Sequence, residues 1–254
     1  MAWRAGIKTM SVTDHDTVAA VAEVAAAAKS SGLGFVPGIE ITAIYEHRDI
    51  HMLGYFFDPQ DAELNAFLER QRSDRMRRAV EMADRLAEMG KPIDRDKLLT
   101  PRPGGRSFGR PMLARALVKA GHVIDARQAF DQLIGEGKPA FVPRTGPDPA
   151  EVIAIVFKAG GIASLAHPGL LRRDDWIPPL AEAGLDALEA YHTDHGPDDT
   201  ARYLALAAQL TLAVSGGSDY HADESHGAPR PGMTSLPPAE FERLRTVPRG
   251  VPRT

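Results

Sequence analysis

Short apolar segments that end in small or polar residues recur along the chain and alternate with longer segments of helical periodicity. Buried strands have this length and this enrichment in β-branched residues, whereas amphipathic helices repeat their apolar positions every three to four residues. Six strands are predicted on this basis, over residues 7–12, 34–41, 50–56, 161–166, 185–191 and 210–214. Because strands and helices alternate, the pattern predicts an α/β fold with a parallel sheet or a barrel.

The predicted helices fall into two groups. Those that separate the strands cover residues 17–29, 149–159, 175–183 and 197–209, and one more is predicted in the tail at 238–245. Within 61–149 the strand pattern stops and the chain becomes charged and helical, with segments at 61–89, 111–120 and 125–134. We therefore expect a domain built from residues 1–60 and 150–254, interrupted by a helical insertion at 61–149.

Composition narrows the class of protein. The 254-residue chain carries a formal net charge of −4 and contains no cysteine. The acidic balance disfavours a strongly basic nucleic-acid clamp, and the absence of thiols excludes disulfides and thiolate metal sites. No apolar run reaches the roughly 18 residues of a membrane span. The first residues also lack the apolar core of a signal peptide. A soluble, cytoplasmic protein without a membrane partner is the expectation.

Side chains of the types that bind metals lie in or just beyond the predicted strands. The clearest case is SGGSDYH at 215–221, where the glycines are expected to let the chain turn sharply after its strand. The residues concerned are His15, Glu40, His51, His167, His192, Asp219 and His221. The carboxyl ends of parallel strands meet on one face, so these side chains are expected to converge. Imidazole and carboxylate ligands suit divalent ions from Mg and Mn to Fe and Zn.

Several of these residues also allow a structural interpretation. Asp14 and Asp16 are placed to cap the following helix. His51 is also consistent with a hydrogen-bonded core histidine. His192 and His195 compete for one role, and His192 is favoured because it follows its strand directly. Five arginines form either a solvated helix face or a contact surface for a phosphate backbone; they are Arg70, Arg72, Arg75, Arg77 and Arg78.

Six motifs, taken in order, resemble the PHP (polymerase and histidinol phosphatase) family. They are TDHDT at 13–17, PGIEIT at 37–42, HMLGYFFD at 51–58, AHPG at 166–169, EAYH at 189–192 and GSDYH at 217–221. The resemblance is to the stand-alone phosphoesterases, which include nucleoside bisphosphate phosphatases and 5′-to-3′ exoribonucleases. The segment at 107–121 resembles that subgroup's helical insertion. The resemblance implies a distorted (β/α)7 TIM-like barrel with up to three divalent ions, Mn, Fe or Zn.

The resemblance also implies metal ligands, which are His15, Glu40, His51, His192, Asp219 and His221. Glu40 would bridge two metals, with His51 and His192 completing one of those sites. His15 and His221 would hold one metal, and Asp219 would belong to the remaining site. All six ligands are imidazoles or carboxylates.

Further roles concern the substrate. The resemblance places His167 beside the substrate phosphate and makes Arg110, from the insertion, a candidate phosphate contact. His195, which competes with His192, is retained as a second candidate for substrate binding. His167 or an aspartate next to His15, either Asp14 or Asp16, would assist proton transfer to the leaving oxygen.

This chain departs from the family pattern in two places. Family members begin with a strand that ends in His-x-His, followed by an aspartate in a Ser-Asp-Gly turn, and neither motif occurs here. The expectation is an N-terminally truncated barrel, through either real loss or a misassigned start, with an incomplete ligand set. The subgroup often has a histidine where this chain has Met112.

The expected function is metal-dependent hydrolysis of phosphate esters by an activated water. The substrate would be a small phosphorylated nucleotide or a short 5′-phosphorylated RNA end, because long duplexes require many basic contacts. The alternative is a truncated or degenerate domain that binds metal or phosphate with little or no catalysis. The sequence leaves the metal, the exact substrate and the oligomeric state open.

Overall fold

The computed structural model describes residues 1–95, 108–220 and 230–249. The chain divides into two compact units. The first, called here the sheet unit, comprises Met1–Asn65 and Pro147–Thr254. The second, called the helical unit, comprises Ala66–Gly146. The strands described below all belong to the sheet unit.

Six strands form one sheet, and their order in the sheet follows their order in the sequence. They are β1 Thr9–Val12, β2 Gly34–Tyr45, β3 Arg48–Tyr55, β4 Ile162–Leu165, β5 Ala187–His192 and β6 Ala213–Gly217. Each predicted strand overlaps one of these. The prediction of an α/β fold is therefore confirmed at the level of a six-stranded sheet with intervening helices.

The sheet is mixed, and the prediction of an all-parallel sheet is wrong at β3. β3 pairs antiparallel with both β2 and β4, whereas the pairs β1–β2, β4–β5 and β5–β6 are parallel. The cause is the connection between β2 and β3, which consists only of Glu46 and His47. Both have positive φ, 45° and 66°, as a tight two-residue hairpin requires. A parallel crossover needs a much longer connection.

Helices connect most of the other strands and build the helical unit. They are α1 Val21–Ser30, α2 Ala62–Glu88, α3 Arg110–Lys119, α4 Ala126–Ala129, α5 Pro149–Lys158, α6 Pro168–Leu171, α7 Ile177–Glu182, α8 Pro197–Gln209 and α9 Pro238–Arg245. Asp148 caps α5, because its side chain accepts a hydrogen bond from the Glu151 N–H. None of the helices in the described ranges combines the length and the apolar character needed to cross a membrane.

Apolar packing covers the amino-terminal end of the parallel strands. Leu244 of α9 lies in one buried cluster with Val36, Tyr55, Ile162 and Ala187. Ile162 and Ala187 are the first residues of β4 and β5, and Tyr55 is the last residue of the antiparallel β3. These members of the cluster lie toward the end of the sheet where the parallel strands begin, and the cluster extends along the sheet to Leu53 and Ala166.

The glycines at the end of β6 allow a close approach between strands. Gly216 and Gly217 lie within β6, so the sharp turn expected there is wrong. A Cβ added at Gly216 would lie 2.6 Å from the Cβ of Tyr191 on β5. Since real side chains never come so close, only glycine lets β6 pair with β5 at this point.

Candidate metal centre

Every strand of the sheet contributes a polar side chain to this centre. His15 follows β1, Glu40 and His51 lie within β2 and β3, His167 follows β4, His192 ends β5 and Asp219 follows β6. His51 reaches this edge because β3 runs in the opposite direction, so that its amino-terminal half lies beside the carboxyl-terminal half of β2. In the register, His51 is opposite Thr42. The predicted convergence of these residues thus occurs within a mixed sheet.

The histidine rings form a continuous row. The ring centroids of His15 and His51 are 4.9 Å apart, those of His51 and His167 are 5.1 Å apart, and those of His167 and His192 are 5.5 Å apart. The row continues to His195, whose centroid lies 5.3 Å from that of His192. Five imidazoles delivered by four different chain segments therefore lie side by side.

Glu40 is the buried carboxylate that joins the first three histidines. Its Oε1 lies 2.5 Å from His51 Nδ1 and 3.5 Å from His167 Nε2, and its Oε2 lies 3.7 Å from His15 Nε2. Only 4% of Glu40 is exposed. Burial alone would raise the pKa of Glu40, but hydrogen bonds from His167 and His51 and the charge of His15 hold that pKa well below its usual range. The carboxylate is thus kept in the charged form that binds a cation.

His15, Glu40 and His51 fit a divalent metal. One ligand atom from each lies within 4.8 Å of the other two, which a single ion can bridge with small adjustments. His51 remains about one-third exposed, so it is not the enclosed core histidine of the structural interpretation. The donor set of imidazole nitrogen and carboxylate oxygen suits Mn, Fe and Zn alike. Which of these ions binds is not encoded in the donor types.

A second group of candidate ligands lies further along the row. His192 Nε2 is 3.6 Å from Asp219 Oδ2. This Nε2 is buried and makes no hydrogen bond within the described ranges. A buried polar atom without a partner is costly, and a metal ligand role would account for it. Asp219 has a positive φ of 49°, a conformation that is uncommon outside glycine and recurs at functional sites.

The two aspartates beside His15 differ in exposure. Asp14 is exposed, whereas Asp16 is fully buried and its carboxylate accepts a hydrogen bond from the Thr42 N–H. Its own N–H donates to the Glu40 carbonyl, so Asp16 fixes the His15 segment against β2. The helix-capping alternative is wrong, because α1 begins only at Val21 and has no side-chain cap. The predicted role of Asp14 or Asp16 in proton transfer stays a prediction.

His195 is engaged by the backbone at both ring nitrogens. Its Nδ1 lies 3.0 Å from the Ala190 carbonyl, and its Nε2 accepts a hydrogen bond from the Gly169 N–H at 3.1 Å. Burial lowers the pKa of His195, in keeping with a neutral ring that donates at Nδ1 and accepts at Nε2. The predicted contact of His195 with substrate stays a prediction.

Glu189 is a residue of this centre that the sequence analysis missed. It lies on β5, is 5% exposed, and its Oε2 accepts a hydrogen bond from the His167 N–H at 2.8 Å. Burial raises the pKa of Glu189 to about 7, against the opposing charge of His192. The sequence signal that could have identified Glu189 is a carboxylate within an apolar strand. The same signal identified Glu40, whereas the motif EAYH was interpreted through His192.

Arg110 and the arginines of α2 belong to the helical unit. The Arg110 guanidinium lies over the rings of Phe130 and Phe141, at 5.9 and 5.6 Å from their centroids. Arg75 and Arg78 donate to the carbonyls of Phe108 and Val142. Arg72 and Arg77 pair with Glu69 and Asp74, and Arg70 lies over Phe67. These contacts favour structural and surface roles for the arginines of α2 over a phosphate-binding surface. The phosphate contact of Arg110 stays a prediction.

His221 lies outside the described residues, so its predicted place beside His15 stays a prediction. The other predicted ligands, His15, Glu40, His51, His192 and Asp219, are brought to one edge of the sheet. His167 lies among them, in the middle of the row. The structure therefore assembles one candidate centre from residues that are up to 204 positions apart in the sequence.

Comparison with known proteins gives the chain a family, although no family model matches it. It is 34% identical over 227 residues to a 5′-3′ exoribonuclease of Haemophilus influenzae, an alignment that covers 87% of this chain and 81% of the relative. It is 30% identical over 236 residues to a 3′,5′-nucleoside bisphosphate phosphatase of Chromobacterium violaceum, covering 90% of this chain and 82% of the relative.

A solved structure supports the same conclusion. A protein of Bifidobacterium adolescentis assigned as a metal-dependent phosphoesterase superposes with a TM-score of 0.85 at 31% identity, over 96% of this chain and 87% of its own. The superposition therefore includes most of both chains. Sequence identity, coverage and structure together show that this chain belongs to the PHP-type phosphoesterases.

Proposed function

We propose that this enzyme hydrolyses phosphate esters of nucleotides or of 5′-phosphorylated RNA ends at a site that holds up to three divalent ions. The observation that carries the proposal is the cluster of His15, Glu40 and His51, whose ligand atoms lie within 4.8 Å of one another. Bound ions would supply an activated water nucleophile and neutralise charge on the phosphoryl oxygens. Manganese, iron and zinc all suit the donors, and manganese is the ion to test first.

The chain's own residues prepare the site in three ways. The buried carboxylate of Glu40 lies near the rings of three histidines and would hold them in place before a metal or substrate binds. His192 and Asp219 supply the next donors along the row. His167 lies between the two groups, in ring contact with both His51 and His192. From there it would contact the substrate phosphate and donate a proton to the leaving oxygen, with Asp14 or Asp16 as the alternative donor.

Small or short substrates fit the charge of the molecule. The net charge is −4, and the α2 arginines described above make contacts within the helical unit. Affinity for long nucleic acids depends on many free basic groups at the phosphate backbone. We therefore propose nucleoside bisphosphates and short RNA ends rather than duplexes. The relatives named for these two substrate classes support the choice.

The fold proposed for the sheet unit is the distorted (β/α)7 barrel of this family. In such a barrel, the six-stranded sheet would account for five parallel strands and one antiparallel strand. The edge with the candidate ligands would then correspond to the carboxyl-terminal face at which barrel enzymes place their active sites. An experimental structure with Mn²⁺ would test both the strand number and the ligands.

The proposed function is tested by phosphate release. In the presence of Mn²⁺, the protein is expected to release phosphate from nucleoside 3′,5′-bisphosphates or to shorten 5′-phosphorylated RNA of a few nucleotides. Glu40→Ala should abolish this activity, while Glu23→Ala, an exposed glutamate of α1, serves as the matched control. Full activity of Glu40→Ala would show that the centre lies elsewhere. Elemental analysis distinguishes the alternative: one or more tightly held ions without turnover would indicate a binding domain.

A further inference from the structure

The turn that presents His167 to the centre is held by two side chains of the neighbouring strand and its loop. The turn consists of His167, Pro168 and Gly169. Proline has no N–H, so the turn has two amides to donate. The His167 N–H donates to Glu189 Oε2 at 2.8 Å, and the Gly169 N–H donates to His195 Nε2 at 3.1 Å. His167 precedes α6, and Pro168 and Gly169 begin it, so these amides have no acceptor within the helix and are bound by side chains instead.

The conformation of His167 requires such support. Its φ is 28° and its ψ is 57°, in the left-handed region that residues with a Cβ seldom occupy. A residue remains there only when its surroundings fix it, and such residues concentrate at functional sites. The buried carboxylate of Glu189 accepts from the amide of this same residue. The contact therefore acts at the point in the turn where the backbone is least favourable.

The second contact is equally specific. His195 Nδ1 lies 3.0 Å from the Ala190 carbonyl, which leaves Nε2 as the acceptor for the Gly169 N–H. A Cβ added at Gly169 would lie 2.7 Å from both Nε2 and Cδ2 of His195. Because real Cβ atoms are not found so close to other heavy atoms, the ring can reach the turn only while residue 169 is glycine.

We propose that Glu189 and His195 are positioning residues that clamp the turn from His167 to Gly169, so that the His167 ring faces Glu40 and the substrate. This inference rests on the proposed function for the role of His167, but the clamp itself does not depend on it. Neither residue is assigned a contact with reacting atoms. His195 thereby receives a structural role beside the substrate contact predicted from the sequence, which stays a prediction.

Asp186 provides a matched control for Glu189. It is also a buried carboxylate next to β5, and its Oδ2 accepts the Ala163 N–H of β4 at 2.9 Å. The two acids therefore hold β4 at opposite ends, and only Glu189 holds the end that carries His167. Removing either acid loses a buried hydrogen bond. Only the removal of Glu189 should change the placement of the histidine.

The experiment measures kcat, KM and melting temperature for Glu189→Ala, Glu189→Gln and Asp186→Ala with Mn²⁺. Loss of the acceptor in Glu189→Ala should lower kcat by about tenfold or more with KM nearly unchanged, since misplacement of a catalytic group acts mainly on the transition state. Glu189→Gln keeps an acceptor oxygen and should restore kcat to within about threefold of the parent. Asp186→Ala should lower the melting temperature and leave kcat of the folded enzyme nearly unchanged.

A double-mutant cycle tests the His195 contact. Gly169→Ala alone should lower kcat, because the new Cβ displaces the His195 ring. In the His195→Ala background the same substitution should have little further effect, since the clash is then absent. Additive losses in the cycle would overturn the His195 half of the proposal. This cycle also covers the case in which Glu189→Ala does not fold.

Hydrogen exchange separates the clamp from the proposed activity. Exchange at the His167 amide should accelerate at least about tenfold in Glu189→Ala and remain slow in Glu189→Gln and Asp186→Ala. An unchanged exchange rate in Glu189→Ala, or equal kcat losses for Glu189→Ala and Asp186→Ala, would overturn the Glu189 half. Accelerated exchange in a protein without phosphoesterase activity would retain the clamp and overturn the proposed function.

Discussion

Charged side chains have different roles in the two units of this protein. In the sheet unit, Glu40 gathers three histidines, and His192 lies against Asp219. In the helical unit, Arg78 donates to the Val142 carbonyl and Arg85 to the Phe141 carbonyl. The acids and histidines of the sheet unit face one another and leave room for a cation. Arg78 and Arg85 already have the chain's own carbonyls as partners, so their charge contributes to stability.

The largest expected effect concerns Glu40 in the sheet unit. Glu40→Gln should weaken Mn²⁺ binding by at least about 100-fold, because a neutral amide replaces the buried carboxylate among three histidines. Isothermal titration with Mn²⁺ measures the affinity, and Glu23→Gln on the exposed face of α1 is the control. The thermal stabilisation that Mn²⁺ gives the parent protein should disappear in the same variant. Undiminished binding would show that this cluster is not the principal site.

Arg78→Met is the corresponding test in the helical unit. It should lower the free energy of unfolding by about 1.5–3 kcal/mol, because the buried Val142 carbonyl loses a charged donor. Urea unfolding measures the change. Methionine keeps much of the apolar stem, so the loss reports chiefly on the hydrogen bond. If Arg78→Met instead abolished Mn²⁺ binding and left stability unchanged, the contrast between the units would fail.

The buried acid Glu189 gives a pH-dependent test of the metal-free protein. Burial raises its pKa to about 7 from an ordinary 4.5, so the folded state binds the proton more tightly than the unfolded state. Its contribution to stability is therefore fully present below pH 4.5 and is lost as the pH rises through 7.

Glu189→Gln should remove this dependence. Between pH 5 and 8 the free energy of unfolding should fall by about 1–2 kcal/mol more in the parent than in the variant. Each pKa unit is worth about 1.4 kcal/mol, and relaxation of the site makes the effect smaller than the whole pKa shift would give. Denaturant unfolding in EDTA at the two pH values measures the free energy of unfolding, and Asp186→Asn is the control. A variant that lost as much stability as the parent would place the titrating group elsewhere.

The smallest effect is expected at an exposed ion pair. Arg72 Nη2 lies 2.5 Å from Oε2 of Glu69, one helical turn away on α2. The Glu69 side chain is 67% exposed. Arg72→Ala should change the free energy of unfolding by no more than about 0.5 kcal/mol, because solvent and salt screen such pairs. Binding to short 5′-phosphorylated RNA, followed by fluorescence anisotropy, should also be unchanged. A marked loss of RNA affinity would revive the phosphate-contact interpretation of these arginines.

Local signals in the sequence were sufficient for most elements. Apolar runs located all six strands, and α8 and α9 begin and end where their periodicity predicts. The hairpin between β2 and β3 was missed because Glu46 and His47 are not the Asn-Gly or Asp-Gly pairs that announce such turns. The role predicted for Gly216, a sharp turn, was also wrong. A glycine is needed there because a side chain would clash with Tyr191 on the neighbouring strand.

The sequence by itself determined which residues could bind metal. Imidazoles and carboxylates at strand ends, in a chain without cysteine, limit both the ligands and the ions, and the periodic pattern places them on one sheet. Only the tertiary structure decided which of those side chains meet and which support the others. Whether a carboxylate faces an open cluster, as at Glu40, or a backbone amide, as at Asp16 and Glu189, depends on neighbouring strands. Contacts between distant segments set burial and hydrogen bonding, and local sequence patterns do not contain them.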